Sequence, residues 1–473
     1  MSDRLHNFHI TFMQILLWSI VVTIVFFSHE TSNAYIWPKY GGTLRMPISS
    51  SKLILDPSRD MSYEELAIFF AIYDCLFRID ENGNVLPNLA TDFSTDNFYK
   101  EYTIHIDKRA RFHDGTPVRG IDVASALNNT IQRTGIRSSE LSNIIEIKPL
   151  SETDIEFILK ETDPDFPRKL AHPFCAVIKG DAITKSIGPA SITYYVGTGA
   201  FRIRETNRKS SIRLERNAHY HRGQSYLDAI EFVMIPKADD SFIEFLAGNL
   251  DIHRVSYERY KSLQNRVDCT IFERDGWDTL VIDFNNNPRR TELMGALDPE
   301  GLVRVTMNSA ATEASGILPD DGRKHIQHAA FTKSNPIKGN ITLGYYGDRM
   351  FLEPVAKSIA TKWESKGARV SVIKLDNIPS PVCDAVLHVI KTLGQDSTFL
   401  WKSYRANFGF TSAISQPEDI YISPEEQEQR HAIQDGRFYP IARLKMVLAI
   451  DDRVRDLRLI ANCVPDFWTI NLK

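Results

Sequence analysis

The sequence predicts a mixed α/β protein, and two patterns support that prediction. In the first, residues 341–345 and 370–375 are apolar strands on either side of a helical segment, residues 351–366, which Gly367 ends. A strand–helix–strand unit of this kind favours parallel pairing of its two strands. In the second, short alternating strands and separate helices follow one another through the rest of the chain, which is typical of mixed sheets.

The remaining elements follow from local periodicity. Alternating apolar residues predict short strands at residues 41–46, 102–107, 155–159, 210–215, 230–235 and 279–284. Apolar residues at helical spacing predict helices over residues 61–77 and 240–250, the second of which ends at Gly248. A polar turn at residues 81–84 follows the first of these helices.

The first 34 residues predict a secretory signal peptide. Residues 10–28 are almost wholly apolar, and Ser32-Asn33-Ala34 places small residues at a cleavage site after Ala34. A run of about 18 apolar residues can also span a bilayer, so an uncleaved N-terminal helix that tethers the protein is the alternative. In both cases we expect the body of the protein to be periplasmic or otherwise extracytoplasmic.

Composition is that of a large globular protein. Of the 473 residues, 43% are apolar and 25% are charged, and the length corresponds to about three domains. A formal net charge of -4 gives no basic surface for nucleic acid, so we expect no nucleic-acid partner. The five cysteines, Cys75, Cys175, Cys269, Cys383 and Cys463, form no C-x-x-C pair. One disulfide bridge is the alternative in an oxidising compartment, but we expect buried single thiols.

Residues 112–129 form one strand–turn–helix unit. The turn is His113-Asp114-Gly115, and Asp122 is placed to cap the helix that follows. This segment resembles the F-x-D-G-x-P-x-x-A-x-D-V segment of the extracytoplasmic solute-binding proteins of peptide and nickel ABC importers, known as family 5.

Further segments of that family pattern recur in order along the chain. They are residues 72–76 (IYDCL), 87–90 (PNLA), 196–201 (VGTGAF), 214–232 and 247–252 (AGNLDI). The match is strong from residue 41 to residue 252 and weaker but colinear beyond it. Order and spacing together make the resemblance specific.

The resemblance implies a two-lobed periplasmic-binding-protein-like fold of type II, whose lobes are joined by a hinge and close on a ligand. The implied parts are a first lobe of residues 41–270 and 437–473, an extra subdomain of residues 57–175 within it, and a second lobe of residues 274–436. The chain would cross the hinge near residues 277–285 and return near residues 438–446.

The function that the resemblance implies is capture of a solute, with a peptide as the first expectation, and delivery to ABC permease subunits in the membrane. We expect a monomer that uses no cofactor and catalyses no reaction. Two alternatives remain open at this point. One is a degenerate binding protein that acts as a membrane-anchored sensor or assembly partner, and the other is a secreted α/β hydrolase, although the sequence has no G-x-S-x-G, H-E-x-x-H or Walker motif.

Candidate ligand-binding residues follow from position in the implied fold. They are Tyr73, Tyr195, Trp277, Asn285, Lys391 and Asp396. The aromatic residues offer a large contact area with a polar group, and core packing is the alternative role for each. Lys391 could meet an anionic ligand group, or it could be a solvated lysine.

The second lobe departs from the peptide-binding pattern. Members that bind peptides commonly have a G-W-x-x-D-Y stretch, in which the Asp holds the peptide ammonium group. The corresponding positions here are Ile390 and Leu393, and Asp396 fits a later position of the pattern. Loss of that carboxylate leaves a peptide ammonium group without its usual partner.

Several motif residues have a structural interpretation. Gly197 and Gly199 are expected to serve a tight backbone path, and Asn217, Asp228 and Asp114 are expected to hold turns. A pair of histidines three residues apart, His325 and His328, follows Asp320 and Asp321 but lacks a third ligand at a fixed spacing, so we expect no metal site there.

Overall fold

The structure is a computed structural model of the 473-residue chain. It describes residues 38–56, 61–132, 141–187, 190–204, 211–255, 257–263, 266, 269–284, 287–307, 311–314, 316, 336–346, 352–375, 383–390, 432–433, 435–460 and 464–473. The chain divides into two units, Met1–Lys39 and Tyr40–Lys473. The predicted signal peptide lies outside the described residues. Within them, no helix is long and apolar enough to cross a membrane.

Helices of the described residues are short, and they lie between strands. They are α1 (Tyr63–Ile72), α2 (Gly120–Gln132), α3 (Phe166–Lys169), α4 (Ala238–Leu246), α5 (Tyr257–Leu263), α6 (Arg290–Gly295), α7 (Pro299–Thr306) and α8 (Leu352–Glu364). A capping box starts α1, because Ser62 Oγ accepts the Glu65 N–H at 3.2 Å while Glu65 Oε2 accepts the Ser62 N–H at 2.9 Å.

Strands make up most of the remaining structure. They are β1 (Thr43–Ile48), β2 (Lys52–Ile54), β3 (Phe77–Ile79), β4 (Val85–Pro87), β5 (Ala90–Thr95), β6 (Glu101–Ile106), β7 (Ile144–Pro149), β8 (Asp154–Leu159), β9 (Lys179–Ile187), β10 (Ala190–Val196), β11 (Phe201–Ile203), β12 (Ser211–Arg216), β13 (Ala229–Met234), β14 (Ile252–Arg254), β15 (Cys269–Asp283), β16 (Ala311–Glu313), β17 (Gly339–Tyr346), β18 (Ala368–Leu375), β19 (Ala385–Ile390), β20 (Phe438–Asp451), β21 (Val454–Arg455), β22 (Leu459–Ile460), β23 (Val464–Pro465) and β24 (Asn471–Leu472).

The largest sheet contains both strands of the predicted strand–helix–strand unit. Its order is β14-β20-β15-β19-β17-β18, with β16 paired to β20. β17 and β18 pair in parallel around α8, and Gly367 ends that helix with a φ of 103°. The predicted parallel unit is therefore confirmed. The other larger sheets have the orders β1-β13-β12-β11, β5-β6-β8-β7 and β2-β10-β9.

Buried side chains form three clusters. One draws on residues 44–75, 176–252 and 446–470, a second on residues 76–177, and the third on residues 242–449. The second cluster is the core of the region that carries β3 to β8 and α2. Burial of these apolar side chains is the main stabilising contribution to each part of the fold.

Three elements differ from the sequence prediction. α1 ends at Ile72, and Phe77 already belongs to β3, so the predicted helix was too long. α2 begins at Gly120, which places Asp122 in its first turn, where the carboxylate accepts the Arg119 N–H at 2.9 Å rather than capping the helix from outside. β15 begins at Cys269, ten residues before the predicted strand, because β20 pairs with it along most of its length.

The cysteines agree with the prediction as far as they are described. Cys75 and Cys175 are buried and free, and Cys269 and Cys383 are buried. Cys463 lies outside the described residues, and so do the four His and Asp residues between 320 and 328.

Candidate functional site

Tyr73 and Tyr195 lie in direct contact where α1 ends beside β10. The backbone N–H of Tyr195 donates to the Tyr73 hydroxyl at 2.8 Å, and the Tyr73 ring packs on Phe69 at 4.7 Å between ring centroids. Tyr73 is 1% exposed and Tyr195 is 8% exposed. Burial raises the pKa of Tyr73 well above its ordinary value. The structure thus brings together two of the predicted site residues.

Tyr195 also lines a cavity of about 110 Å³ between α2 and the start of β9. Asp122, Asn129 and Lys179 are polar side chains of the same cavity. Among the described residues of the predicted site, Tyr195 thus lies at the edge of a cavity with polar side chains in its wall.

The glycine-rich loop after β10 packs directly on the backbone at the end of α1. The N–H of Gly199 donates to Ile72 O at 2.8 Å. A Cβ atom at Gly197 or at Gly199 would approach the Ile72 backbone to well under 3.0 Å, closer than side chains are found. The predicted tight backbone path is therefore confirmed, and it explains why glycine occupies both positions.

His113 ties the turn at residues 113–115 to the same loop. Its backbone N–H donates to Gly197 O at 2.8 Å, and its Nε2 lies 3.1 Å from Gly199 O. Since a carbonyl oxygen only accepts, the proton of the neutral ring is on Nε2. Burial lowers the pKa of His113 to about 4, so the ring stays neutral at pH 7.

Two of the three polar motif residues hold turns, as predicted, and the third links distant segments. Asn217 Oδ1 accepts the His219 N–H at 3.1 Å within its turn, whereas Asp228 Oδ2 accepts the Gly42 N–H at 3.1 Å from a segment 186 residues earlier. Asp114 accepts the N–H of Thr116 at 2.9 Å and the ammonium group of Lys179 at 2.8 Å. Partial burial opposes ionisation of Asp114, but these hydrogen bonds outweigh it and lower its pKa to about 2.

Trp277 lies on β15 at an irregularity in the pairing with β20. The register shifts between Asp275 and Thr279, so the ladder is interrupted at residues 276–278. A Cβ atom at Gly276 would approach Leu444 O to well under 3.0 Å. The two strands therefore come unusually close just before Trp277, whose side chain is not among those described. Bulges of this kind bend a strand and redirect its side chains.

The other predicted site residues cannot be placed in the same way. Asn285, Lys391 and Asp396 lie outside the described residues. Their roles remain predictions, as does that of the Trp277 side chain.

The sequence reasoning did not single out Asp74, which is the centre of a buried hydrogen-bonded group. Asp74 Oδ1 accepts from Asn88 Nδ2 at 3.0 Å and from the Tyr220 hydroxyl at 3.1 Å. All three residues belong to the segments on which the family resemblance rests, residues 72–76, 87–90 and 214–232. Their position in segments of the same family pattern could have indicated that the three residues meet, because segments that recur together are often in contact in the fold.

Comparisons with known proteins identify the family. A model described as "Bacterial extracellular solute-binding proteins, family 5 Middle" matches residues 84–381, which is more than half of the chain. The oligopeptide-binding protein AppA of Bacillus subtilis is 24% identical over 251 residues, or 50% of this chain and 46% of AppA. The glutathione-binding protein GsiB of Escherichia coli is 23% identical over 287 residues, or 58% of this chain and 55% of GsiB. The chain thus spans about half the length of these curated relatives.

Solved structures resemble the fold over nearly the whole chain. NikA from Staphylococcus aureus, in complex with Ni(L-His)2, has a TM-score of 0.75 at 15% identity and covers 92% of this chain and 100% of its own. DppA from Helicobacter pylori, in complex with the peptide STSA, has a TM-score of 0.76 at 16% identity, with coverage of 92% and 98%. The described chain therefore has their two-lobed α/β fold, and it belongs to the bacterial extracellular solute-binding proteins of family 5.

Proposed function

We propose that this protein is the substrate-binding component of an ABC importer and that it captures a peptide between its two lobes. Family membership is the observation that carries this proposal. The names of its relatives, an oligopeptide-binding and a glutathione-binding protein, support a peptide as ligand. These relatives are binding proteins rather than enzymes, and the mechanism we propose is binding, lobe closure and docking, with no bond made or broken.

The hinge would lie where β15 and β20 cross. The pairing of Cys269–Asp275 with Lys445–Asp451 is separated from the pairing of Thr279–Asp283 with Phe438–Arg443 by the shift in register. Two long strands that are continuous on both sides of one irregularity can flex there without losing the flanking ladders. We propose a first lobe of residues 41–270 and 437–473, with its subdomain at 57–175, and a second lobe of residues 274–436. The pairing puts the return crossing near Leu444, because Phe438–Arg443 still pair with Thr279–Asp283.

The ligand would contact both sides of this hinge. Tyr73 and Tyr195 would supply the first-lobe surface, since they touch each other and Tyr195 lines open space. We place Trp277 and Asn285 at the hinge, and Lys391 and Asp396 on the second lobe. With Leu393 where peptide binders commonly have an Asp, Lys391 would pair with a carboxylate of the ligand.

The protein would work outside the cytoplasm as a monomer and would deliver its ligand to membrane permease subunits. The family is extracellular. We propose that residues 1–34 direct secretion, with cleavage after Ala34. The alternative is that residues 10–28 are retained as a membrane tether, and measurement of the intact mass of the exported protein distinguishes the two. A sensor and a secreted hydrolase are less well supported, because the family and fold comparisons lead to solute-binding proteins.

Native mass spectrometry of the secreted protein, followed by denaturation and identification of released molecules, tests this proposal. We expect a set of short peptides. A matched pair of variants, Trp277→Ala and Phe98→Ala, locates the site, because Phe98 is a 71% exposed aromatic residue of the subdomain. Only Trp277→Ala should lose the peptides while remaining folded. A protein that stays empty in peptide mixtures, or one that releases a single non-peptide solute, would contradict the assignment to peptides.

A further inference from the structure

A second cavity lies away from the proposed hinge, where the first lobe, the subdomain and the C-terminal segment meet. Its volume is about 50 Å³. The wall is formed by the end of α1 with Tyr73 beside it, by β3, by the loop after β12 and by the residues around β23, and its other polar side chains include Asp74, Arg78, Asn88, Tyr220, Arg222 and Asp466. No strand of the β15–β20 pair contributes to it. The site therefore does not depend on the proposed function.

Three side chains of this wall have buried polar atoms without a hydrogen-bond partner among the described residues. They are Asp74 Oδ2, Asn88 Oδ1 and Arg78 Nε. Asp74 is only 6% exposed, and its other oxygen is fully used by Asn88 and Tyr220. Buried polar atoms are nearly always paired, since leaving one unpaired is costly. Two unpaired acceptors and one unpaired donor on adjacent residues thus point to a molecule that brings both donors and an acceptor.

Charge in the cavity wall selects the kind of molecule. Two guanidinium groups, Arg78 and Arg222, are balanced by two carboxylates, Asp74 and Asp466. Arg78 and Arg222 line the same cavity, and burial together with the nearby Arg222 lowers the pKa of Arg78. A ligand with a net charge would leave one charge of the wall uncompensated in a partly dry site. A zwitterionic ligand, which carries one positive and one negative charge, would leave no charge of the wall uncompensated.

We propose that this cavity binds a small zwitterion, an α-amino acid of the size of glycine or alanine. Its ammonium group would donate to Asp74 Oδ2 and Asn88 Oδ1, and its carboxylate would accept from Arg78 and Arg222. The size limit follows from the volume of the cavity and from the phenyl and indole rings of Phe77, Phe467 and Trp468 in its wall.

Entry to the site requires a side chain to move. The three unpaired atoms are covered by their neighbours. Arg222 is a half-buried member of the wall, and its guanidinium group lies over the Trp468 ring at 4.3 Å from the centroid. Rotation of this side chain away from the indole ring opens the cavity without moving a strand, and its return closes the carboxylate end.

Isothermal titration calorimetry of the whole secreted protein tests the proposal, with glycine, acetate and methylammonium titrated in separate experiments. We expect saturable binding of glycine and at least tenfold weaker binding of each half-ligand, because each satisfies only one end of the cavity. No binding of glycine overturns the proposal. Acetate binding as tight as glycine would also overturn it, since that result means a simple anion site.

Variants then locate the binding. Asp74→Asn and Arg78→Met should each weaken glycine binding at least tenfold, while Asp92→Asn, an exposed carboxylate of the same subdomain, should leave it unchanged. Trp277→Ala should also leave it unchanged, which separates this site from the proposed peptide site. If Trp277→Ala loses glycine binding and Arg78→Met keeps it, the amino acid binds in the hinge cleft and the inference is overturned. This comparison remains valid if Asp74→Asn fails to fold.

Discussion

Arg274, on the strand that forms one half of the proposed hinge, binds the turn at Glu81, 193 residues earlier in the sequence and within the proposed subdomain. Its Nη1 lies 3.3 Å from Glu81 Oε2, and its Nη2 donates to the Glu81 backbone oxygen. Arg168 holds the other side of the same turn through Gly83 O at 2.9 Å. The β3–β4 hairpin is thus fixed to β15 two residues before Gly276.

Replacement of Arg274 should loosen β15 more than it destabilises the whole protein. The pair is 30% and 40% exposed, so the ionic part is worth about 0.5 kcal/mol, and loss of the hydrogen bonds adds about 1 kcal/mol. For Arg274→Met we expect faster amide hydrogen exchange in residues 269–283. Arg168→Met is the control, because it frees the same turn without touching β15. Equal exchange in β15 for the two variants would show that the contact does not restrain the strand.

Gly276 should tolerate no side chain. A Cβ atom there would meet Leu444 O, and backbone on both strands would have to shift, so we expect Gly276→Ala to lower the free energy of unfolding by about 2–3 kcal/mol. Gly248→Ala is the matched control. Its φ is 75° and no atom lies within 4 Å of the added Cβ, so it should cost only the conformational strain of about 1–2 kcal/mol. Chemical denaturation measures both, and a smaller loss for Gly276→Ala would contradict the close approach.

Stability should fall between pH 6.5 and pH 4. Burial lowers the pKa of His113 and His253 to about 4 and that of His388 to about 3. The unfolded chain binds protons at these rings from about pH 6.5 downward, whereas the folded protein does not, so the neutral rings stabilise the fold fully above pH 6.5. That contribution is lost progressively as pH falls toward the folded pKa values.

Denaturant midpoints at pH 7, 6, 5 and 4 measure this dependence. The slope of stability against pH is the readout, because it separates titration from a general loss of packing. His113→Gln should reduce the slope, because it removes one of the buried rings whose pKa is lowered. A flat profile between pH 6.5 and pH 4.5 would mean that the buried rings take up protons in the folded state.

The sequence was informative where local pattern and tertiary structure agree. The parallel unit around α8 and the turn roles of Asn217 and Asp114 follow from periodicity and from residue chemistry, and the structure confirms them. The glycines at 197 and 199 were also interpreted correctly, because only a close backbone approach explains two glycines in so short a loop.

Elements that depend on distant partners were predicted less well. The first half of β15 carries Glu273, Arg274 and Asp275, which interrupt its apolar alternation, and its strand conformation comes from pairing with β20, about 170 residues later. Likewise nothing local marks Asp74 as buried, because Asn88 and Tyr220 reach it from other segments. Tertiary contacts determine the conformation of β15 and the burial of Asp74, and the periodicity of one segment carries no information about those contacts.

The Tyr73 hydroxyl should matter for both stability and peptide binding. Tyr73→Phe leaves the buried N–H of Tyr195 without its acceptor, so we expect a loss of about 1–2 kcal/mol in the free energy of unfolding. Tyr102→Phe is the matched control, since the buried Tyr102 hydroxyl donates to Asp163 O at 2.6 Å away from the proposed peptide site, and it should cost a similar amount. Peptide affinity, measured by titration with the peptides released from the native protein, should fall only for Tyr73→Phe, because β10 carries Tyr195 at the proposed site. Equal affinities for the two variants would leave Tyr73 a purely structural residue and move the ligand away from β10.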